Sequence, residues 1–167
     1  MEDKELDELL EKSEYAKKAM ELFKEGYNCA QSVFLAFVDM YDIDEKTALK
    51  LSSSFGAGMG RLREVCGAVS GMFMVAGVLY GYESPKAFEE KTKHYERIQE
   101  LAEQYKEFTG SIICRELLGL DVKKDSPVPE KRTNEYYKKR PCVKMVGIGA
   151  MLMENYIKTN QVPHKMD

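Results

Sequence analysis

The chain has 167 residues, 44% of them hydrophobic and 32% charged, with a formal net charge of −3. That length suits one domain whose core is large enough to fold without disulfides, and the slight acidity argues against nucleic acid as the main partner. The opening MEDKELDELL lacks the basic-then-apolar order of an export signal, so a cytoplasmic protein with reduced cysteines is expected.

Leu6, Leu9, Ser13, Ala16, Met20 and Phe23 recur at three- and four-residue steps and predict an amphipathic helix over 3–25, closed by Gly26. Asn28 suits the cap of a second helix, with Cys29, Val33 and Phe37 on one face. Asp44 suits the cap of a third, running to about Phe55. The glycines of FGAGMG, residues 55–60, predict a loop. The GAGMGR segment precedes a helix and could cradle a phosphate. It follows a helix rather than a strand, however, so a tight interhelical turn is the simpler reading.

The run VCGAVSGMFMVAGVLY, residues 65–80, carries no charge. It is shorter than the roughly 20 apolar residues of a bilayer span. No membrane insertion is expected, and a helix apolar on every side belongs at the centre of a bundle. Gly67 and Gly71, four residues apart, would let a neighbouring backbone approach closely.

Ser84-Pro85 predicts the start of a fifth helix. Its stripe is Phe88, Tyr95, Ile98, Ala102, Tyr105 and Phe108, and its end is Gly110. A short helix is expected from about Cys114. Residues 121–132, with Pro127, Pro129 and many charges, predict an exposed loop, and NEYYKKR, residues 134–140, reads as a solvated turn. Pro141 opens the last helix, to about Lys158, and a flexible tail is expected from about residue 160. With no repeat and no linker, residues 1–167 read as one all-α, single-domain helical bundle around the 65–80 helix.

The chemistry rests with four cysteines, Cys29, Cys66, Cys114 and Cys142. No two form a CxxC pair, so a shared site has to be assembled by folding. Each lies at or near a predicted helix start and in line with its own helix's apolar stripe: Cys29 with Val33, Cys66 with Val69, Cys114 with Leu118, Cys142 with Val146. Inward-facing cysteines of this kind are expected to gather in one region. A helix N-terminus and nearby cations favour the reactive thiolate. Cys66 lies in the most specific motif, CGAVSG at 66–71, and follows Arg61 and Arg63, which makes it the expected functional centre, while Arg115 and Lys144 adjoin two of the others. Burial opposes this by raising a thiol's pKa, and a free cysteine also packs well as a small hydrophobe. The histidines, His94 and His164, are scattered and read as solvated, so a mixed cysteine–histidine zinc site is not expected. Met72, Met74, Met145, Met151 and Met153 read as adaptable packing.

GAGMGRLREVCGAVSGMFMVAGVLYG resembles the signature region of the C_GCAxxG_C_C family, whose members are linked to redox activity. The motif stands here as Cys66-Gly67-Ala68-Val69-Ser70-Gly71, with cysteine ahead of glycine where the family label has the reverse. NCAQSVF around Cys29, CRELLG from Cys114 and RPCVKMV around Cys142 resemble the other cysteine segments, and the likeness spans about residues 14–155. It implies a redox-linked thiol role for Cys29, Cys66, Cys114 and Cys142 and names no substrate. Three functions stay open. The first is thiol–disulfide chemistry, as in a thiol-based oxidoreductase, with a redox partner or small molecule. The second is a metal site, zinc or an iron–sulfur cluster, held by the four thiolates. The third is a non-enzymatic helical interaction module with inert cysteines, and a homo-oligomer is compatible with each.

Overall fold

Ser13 sets the first departure from the expected helix over 3–25. Two helices, α1 (Asp3–Lys12) and α2 (Glu14–Lys24), meet at this residue, which is extended with φ −93° and ψ 118°. Serine competes well for a cap position. The Ser13 hydroxyl accepts from the Ala16 N–H and donates to the carboxylate of buried Glu154. The break therefore gives a buried carboxylate a partner that a continuous helix would not provide.

The computed structural model describes residues 1–163. Within them the fold is all-α, and a single antiparallel bridge joins Val65 to Ile113. Asn28 caps α3 (Cys29–Ala36) as expected, through a reciprocal capping box with Gln31. The same two side chains tie α3 to α4 (Glu45–Ser52): Asn28 Nδ2 donates to the Ser53 carbonyl at 3.1 Å and Gln31 Nε2 to the Leu49 carbonyl at 3.2 Å. Asn28→Ala is expected to cost about 1–2 kcal/mol in a chemical denaturation curve, since the cap and the cross-link are lost together. A wild-type midpoint would refute this.

After a short 3₁₀ turn, α5 (Gly56–Met59) is a single turn containing left-handed residues. It leads to α6 (Gly67–Tyr80), the charge-free helix, in which Val69 and Ala76 are fully buried and Phe73 is partly buried. A Cβ built on Gly71 would lie 2.9 Å from the Ala30 carbonyl oxygen and 2.9 Å from Val33 Cβ, so α3 packs backbone-to-backbone on α6. On another side, a Cβ at Gly149 of α10 (Cys142–Thr159) would meet the Ala68 carbonyl at 2.9 Å. The central helix is thus gripped by two neighbours through glycine contacts.

The next helix, α7 (Phe88–Thr109), starts later than Ser84-Pro85, which instead forms a turn in which the Ala87 N–H donates to the Ser84 carbonyl at 3.2 Å. Its stripe is buried only in the second half. Leu101 and Tyr105 are in the core, whereas Phe88 is 79% exposed and Tyr95 50%. The first half carries Glu89, Glu90, Lys91 and Lys93 and reaches past the core into water. Two short helices follow, α8 (Cys114–Leu117) and α9 (Asn134–Lys139). The solvated turn expected at 134–140 is therefore corrected: Thr133 caps a helix there, and Tyr136 and Tyr137 pack on the core, Tyr137 edge-on to Phe23 at 6.3 Å. Residues 121–132 have no regular structure, and Val128 is 69% exposed. At the C-terminal end, Tyr80 donates to the Asn160 carbonyl at 2.7 Å and Val162 is buried. The rest of the tail expected from about residue 160, with His164, lies outside the described residues. Among those described, no helix is long and apolar enough to cross a membrane.

Candidate thiol site

The four cysteines occupy equivalent places on four helices. Cys29, Cys114 and Cys142 are the first residues of α3, α8 and α10, and Cys66 is the cap residue of α6. All four line one cavity of about 360 Å³, together with Arg61, Arg63, Arg132, Arg140 and Glu130. All are free thiols; Cys66 and Cys114 are buried, Cys29 and Cys142 half-buried.

Two local features bring them together. The first is a run of left-handed backbone. Ala57, Gly58, Met59, Gly60 and Arg61 all have φ between 55° and 68°, and Arg63 follows at 57°. A left-handed turn costs about 1–2 kcal/mol for each residue with a Cβ. It is held by hydrogen bonds from the Gly60 N–H to the Gly56 carbonyl and from the Glu64 N–H to the Gly58 carbonyl, each 2.9 Å. Gly58 is needed for a second reason: a Cβ there would stand 2.6 Å from Cys114 Cβ. The second feature is the Val65–Ile113 bridge. The Cys66 N–H donates to the Ile112 carbonyl at 2.8 Å and the Cys114 N–H to the Glu64 carbonyl at 2.6 Å. Because strand side chains alternate, Cys66 and Cys114 leave the bridge on the same face, as a diagonal pair. Cys29 joins them through Gly67, where an added Cβ would lie 2.8 Å from Cys29 Cβ.

The arginines expected to serve Cys66 face elsewhere. Arg63 Nη1 lies 3.7 Å from Cys114 Sγ, and Arg63 and Arg61 each pair with Asp125 at 3.1 Å. The polar neighbour of Cys66 is the buried Tyr105 hydroxyl at 3.6 Å. Burial pushes the Cys66 thiol up to about 11, with the Tyr105 contact opposing it only in part. Burial also raises Cys114, against the pull of Arg63.

Cys142 behaves in the opposite way. Its thiol is lowered to about 7, first by the hydrogen-bonding contact with Cys29 and then, against the cost of burial, by the Tyr136 hydroxyl, Arg140 and Arg132. The same contact with Cys142 is the first reason that Cys29 is raised well above the ordinary thiol range, burial being the second. Of the two, Cys142 is the thiol with the Arg140 and Arg132 cations beside it, and these favour its thiolate.

Of the residues this geometry draws on, Tyr105, Arg132, Tyr136 and Arg140 were not singled out from sequence. The signal available for the last two was the nearness of NEYYKKR to Cys142. His94 contacts Arg97 at 2.9 Å and does not line the cavity. Among the described residues, no group of three or more His, Cys, Asp or Glu side chains is placed to hold a metal ion. The four thiols share a cavity without converging on one such point.

A family model described as "Putative redox-active protein (C_GCAxxG_C_C)" matches residues 27–156, and the chain belongs to that family. The match takes in all four cysteines. No curated protein and no solved structure matches the chain.

Proposed function

We propose that this member of the C_GCAxxG_C_C family is a thiol–disulfide oxidoreductase in which Cys142 attacks and Cys29 resolves. The observation that carries this reading is that Cys29 and Cys142, each the first residue of its helix, line one cavity with Arg132, Arg140 and Tyr136, whose cations and hydroxyl favour a thiolate at Cys142. In the reductive direction the Cys142 thiolate attacks one sulfur of a disulfide substrate. The substrate's S–S bond breaks, and the departing thiolate takes a proton. Once Cys142 is held in the mixed disulfide it carries no charge, so the main cause of the raised Cys29 pKa is gone. Cys29 then loses its proton and attacks the Cys142 sulfur, releasing the second substrate thiol. Two electrons pass from the cysteine pair to the substrate, and a Cys29–Cys142 disulfide remains. Cys66 and Cys114, kept protonated by burial, have no attacking role in this reading.

The test is alkylation rate against pH, followed site by site by mass spectrometry. An acid with a lowered pKa gains its reactive form at lower pH, so Cys142 labelling is expected to rise through about 7 and level off above it. Cys29→Ala removes the neighbouring thiol and is expected to move that midpoint upward. A wild-type midpoint at or above the free-thiol value of about 8.5 would overturn the proposal. So would a first disulfide joining any other pair after mild oxidation.

A further inference from the structure

We infer that the cavity selects small disulfides bearing carboxylates, and that its arginines supply the selection; the inference rests on the dithiol reading above. The chain as a whole is slightly acidic, yet the charged residues lining the cavity are four arginines and one glutamate. These guanidiniums are largely buried, with side-chain exposures of 5% for Arg63, 12% for Arg61 and 17% for Arg140. Buried cations need anionic partners. The partners present are Asp125 and Glu130, both on the 121–132 segment and more exposed than the cations they serve, at 28% and 39%. Glu130 alone is shared by Arg140, Arg63 at 3.7 Å and Arg61 at 3.9 Å. Asp125 also pairs with Arg61 and Arg63, so two carboxylates serve three guanidiniums and one positive charge is left over.

Arg132 adds a fourth cation. It donates to the Phe23 and Tyr27 carbonyls at 2.9 and 3.1 Å, and among the described residues no carboxylate pairs with it. The arginine cluster therefore already binds carboxylates from this segment, and it has donors and charge to spare for another. Planar guanidiniums suit carboxylates because two parallel N–H bonds match the two oxygens. The cavity volume falls at the low end of the range for small-molecule sites. A compact disulfide with acidic arms would set its carboxylates on the arginines and its S–S bond beside Cys142. Reduction converts one such disulfide and the two cysteine thiols into two acidic thiols and the Cys29–Cys142 disulfide.

The experiment uses the full chain, reduced, in single-turnover oxidation. The oxidants are dithiodipropionate, a dianion, and bis(hydroxyethyl) disulfide, its uncharged counterpart. Each rate is divided by the rate of the same oxidant with free thioglycerol, an uncharged thiol, and the product is mapped to Cys29–Cys142. The normalised preference for the dianion is expected to be about tenfold or more at low salt. It should fall towards one in Arg140→Gln and in Arg132→Gln, each checked for a native circular dichroism spectrum. Both variants also weaken the Cys142 thiolate, but the uncharged oxidant reads that loss alone, so the ratio isolates recognition. Two variants are used because Arg132 also braces the end of α2. A wild-type ratio near one, or a ratio unchanged in both variants, overturns the inference. If the Cys29–Cys142 disulfide forms equally well with both oxidants, the charge selection falls and the dithiol reading stands. If it forms with neither, both fall.

Discussion

Cys142→Ser is expected to remove the fastest-alkylating site of the native protein at neutral pH, one that labels about 100-fold faster than Cys66. The estimate follows from the separation between Cys142, near 7, and Cys66, near 11. At pH 7 about half of Cys142 is thiolate, against roughly one part in ten thousand of Cys66. The more basic thiolate is intrinsically the better nucleophile, and a Brønsted slope of about 0.4–0.5 returns almost two of those nearly four decades. About two decades remain. Cys29→Ser should behave differently. It keeps the Cys142 nucleophile and loses the thiol that resolves it, so a small disulfide should leave a persistent mixed disulfide at Cys142, visible as added mass. A wild-type protein in which Cys142 labels no faster than Cys66 would show that the fast thiol lies elsewhere.

The helix starts at the cysteines are legible in the sequence because capping signals are local. Asn28 ahead of Cys29 and Pro141 ahead of Cys142 announce a helix within one turn of chain. The buried centre was equally legible, since a charge-free run such as 65–80 has no other place in a small domain. Which cysteine carries the charge could not be read in the same way. Arg61 and Arg63 precede Cys66 in the chain, but left-handed backbone at both residues turns their side chains towards Asp125 and Cys114. Glycines at 58 and 60 hinted at an unusual turn, yet Ala57, Met59 and Arg61 adopt left-handed angles that their residue types disfavour. Hydrogen bonds within residues 56–64 and the pairing of Arg61 with Asp125 hold the turn. The surroundings of Cys142 were hidden for a related reason. Cys29 reaches it from 113 positions away in the chain, and Arg132 from 10, through packing that no local pattern encodes. Ser13 shows the same limit on a smaller scale, because its preference for a cap became decisive only with Glu154 opposite.

Gly71→Ala and Gly77→Ala are expected to shift stability in opposite directions, although they make the same chemical change in the same helix. At Gly77 nothing lies within 4 Å of an added Cβ, so alanine gains helix propensity and should raise stability by up to about 1 kcal/mol. At Gly71 the added carbon meets the Ala30 carbonyl oxygen and Val33 Cβ, each at 2.9 Å. The carbonyl belongs to the α3 backbone and can retreat only if the helix moves, so overpacking should cost about 1–3 kcal/mol. Gly71→Leu should cost more, roughly 3 kcal/mol or beyond, or about 10 °C in melting temperature for a chain of this size. The displacement also bears on chemistry, because Ala30 adjoins Cys29 and any shift of α3 away from α6 draws Cys29 from its place beside Cys142. Gly71→Ala should therefore raise the Cys142 alkylation midpoint as well as lower the melting temperature, while Gly77→Ala leaves the midpoint in place. A Gly71→Leu protein as stable as wild type would show that α3 and α6 do not pack as closely as described, and an unmoved midpoint in a destabilised Gly71→Ala protein would separate the helix contact from the pairing of the two thiols.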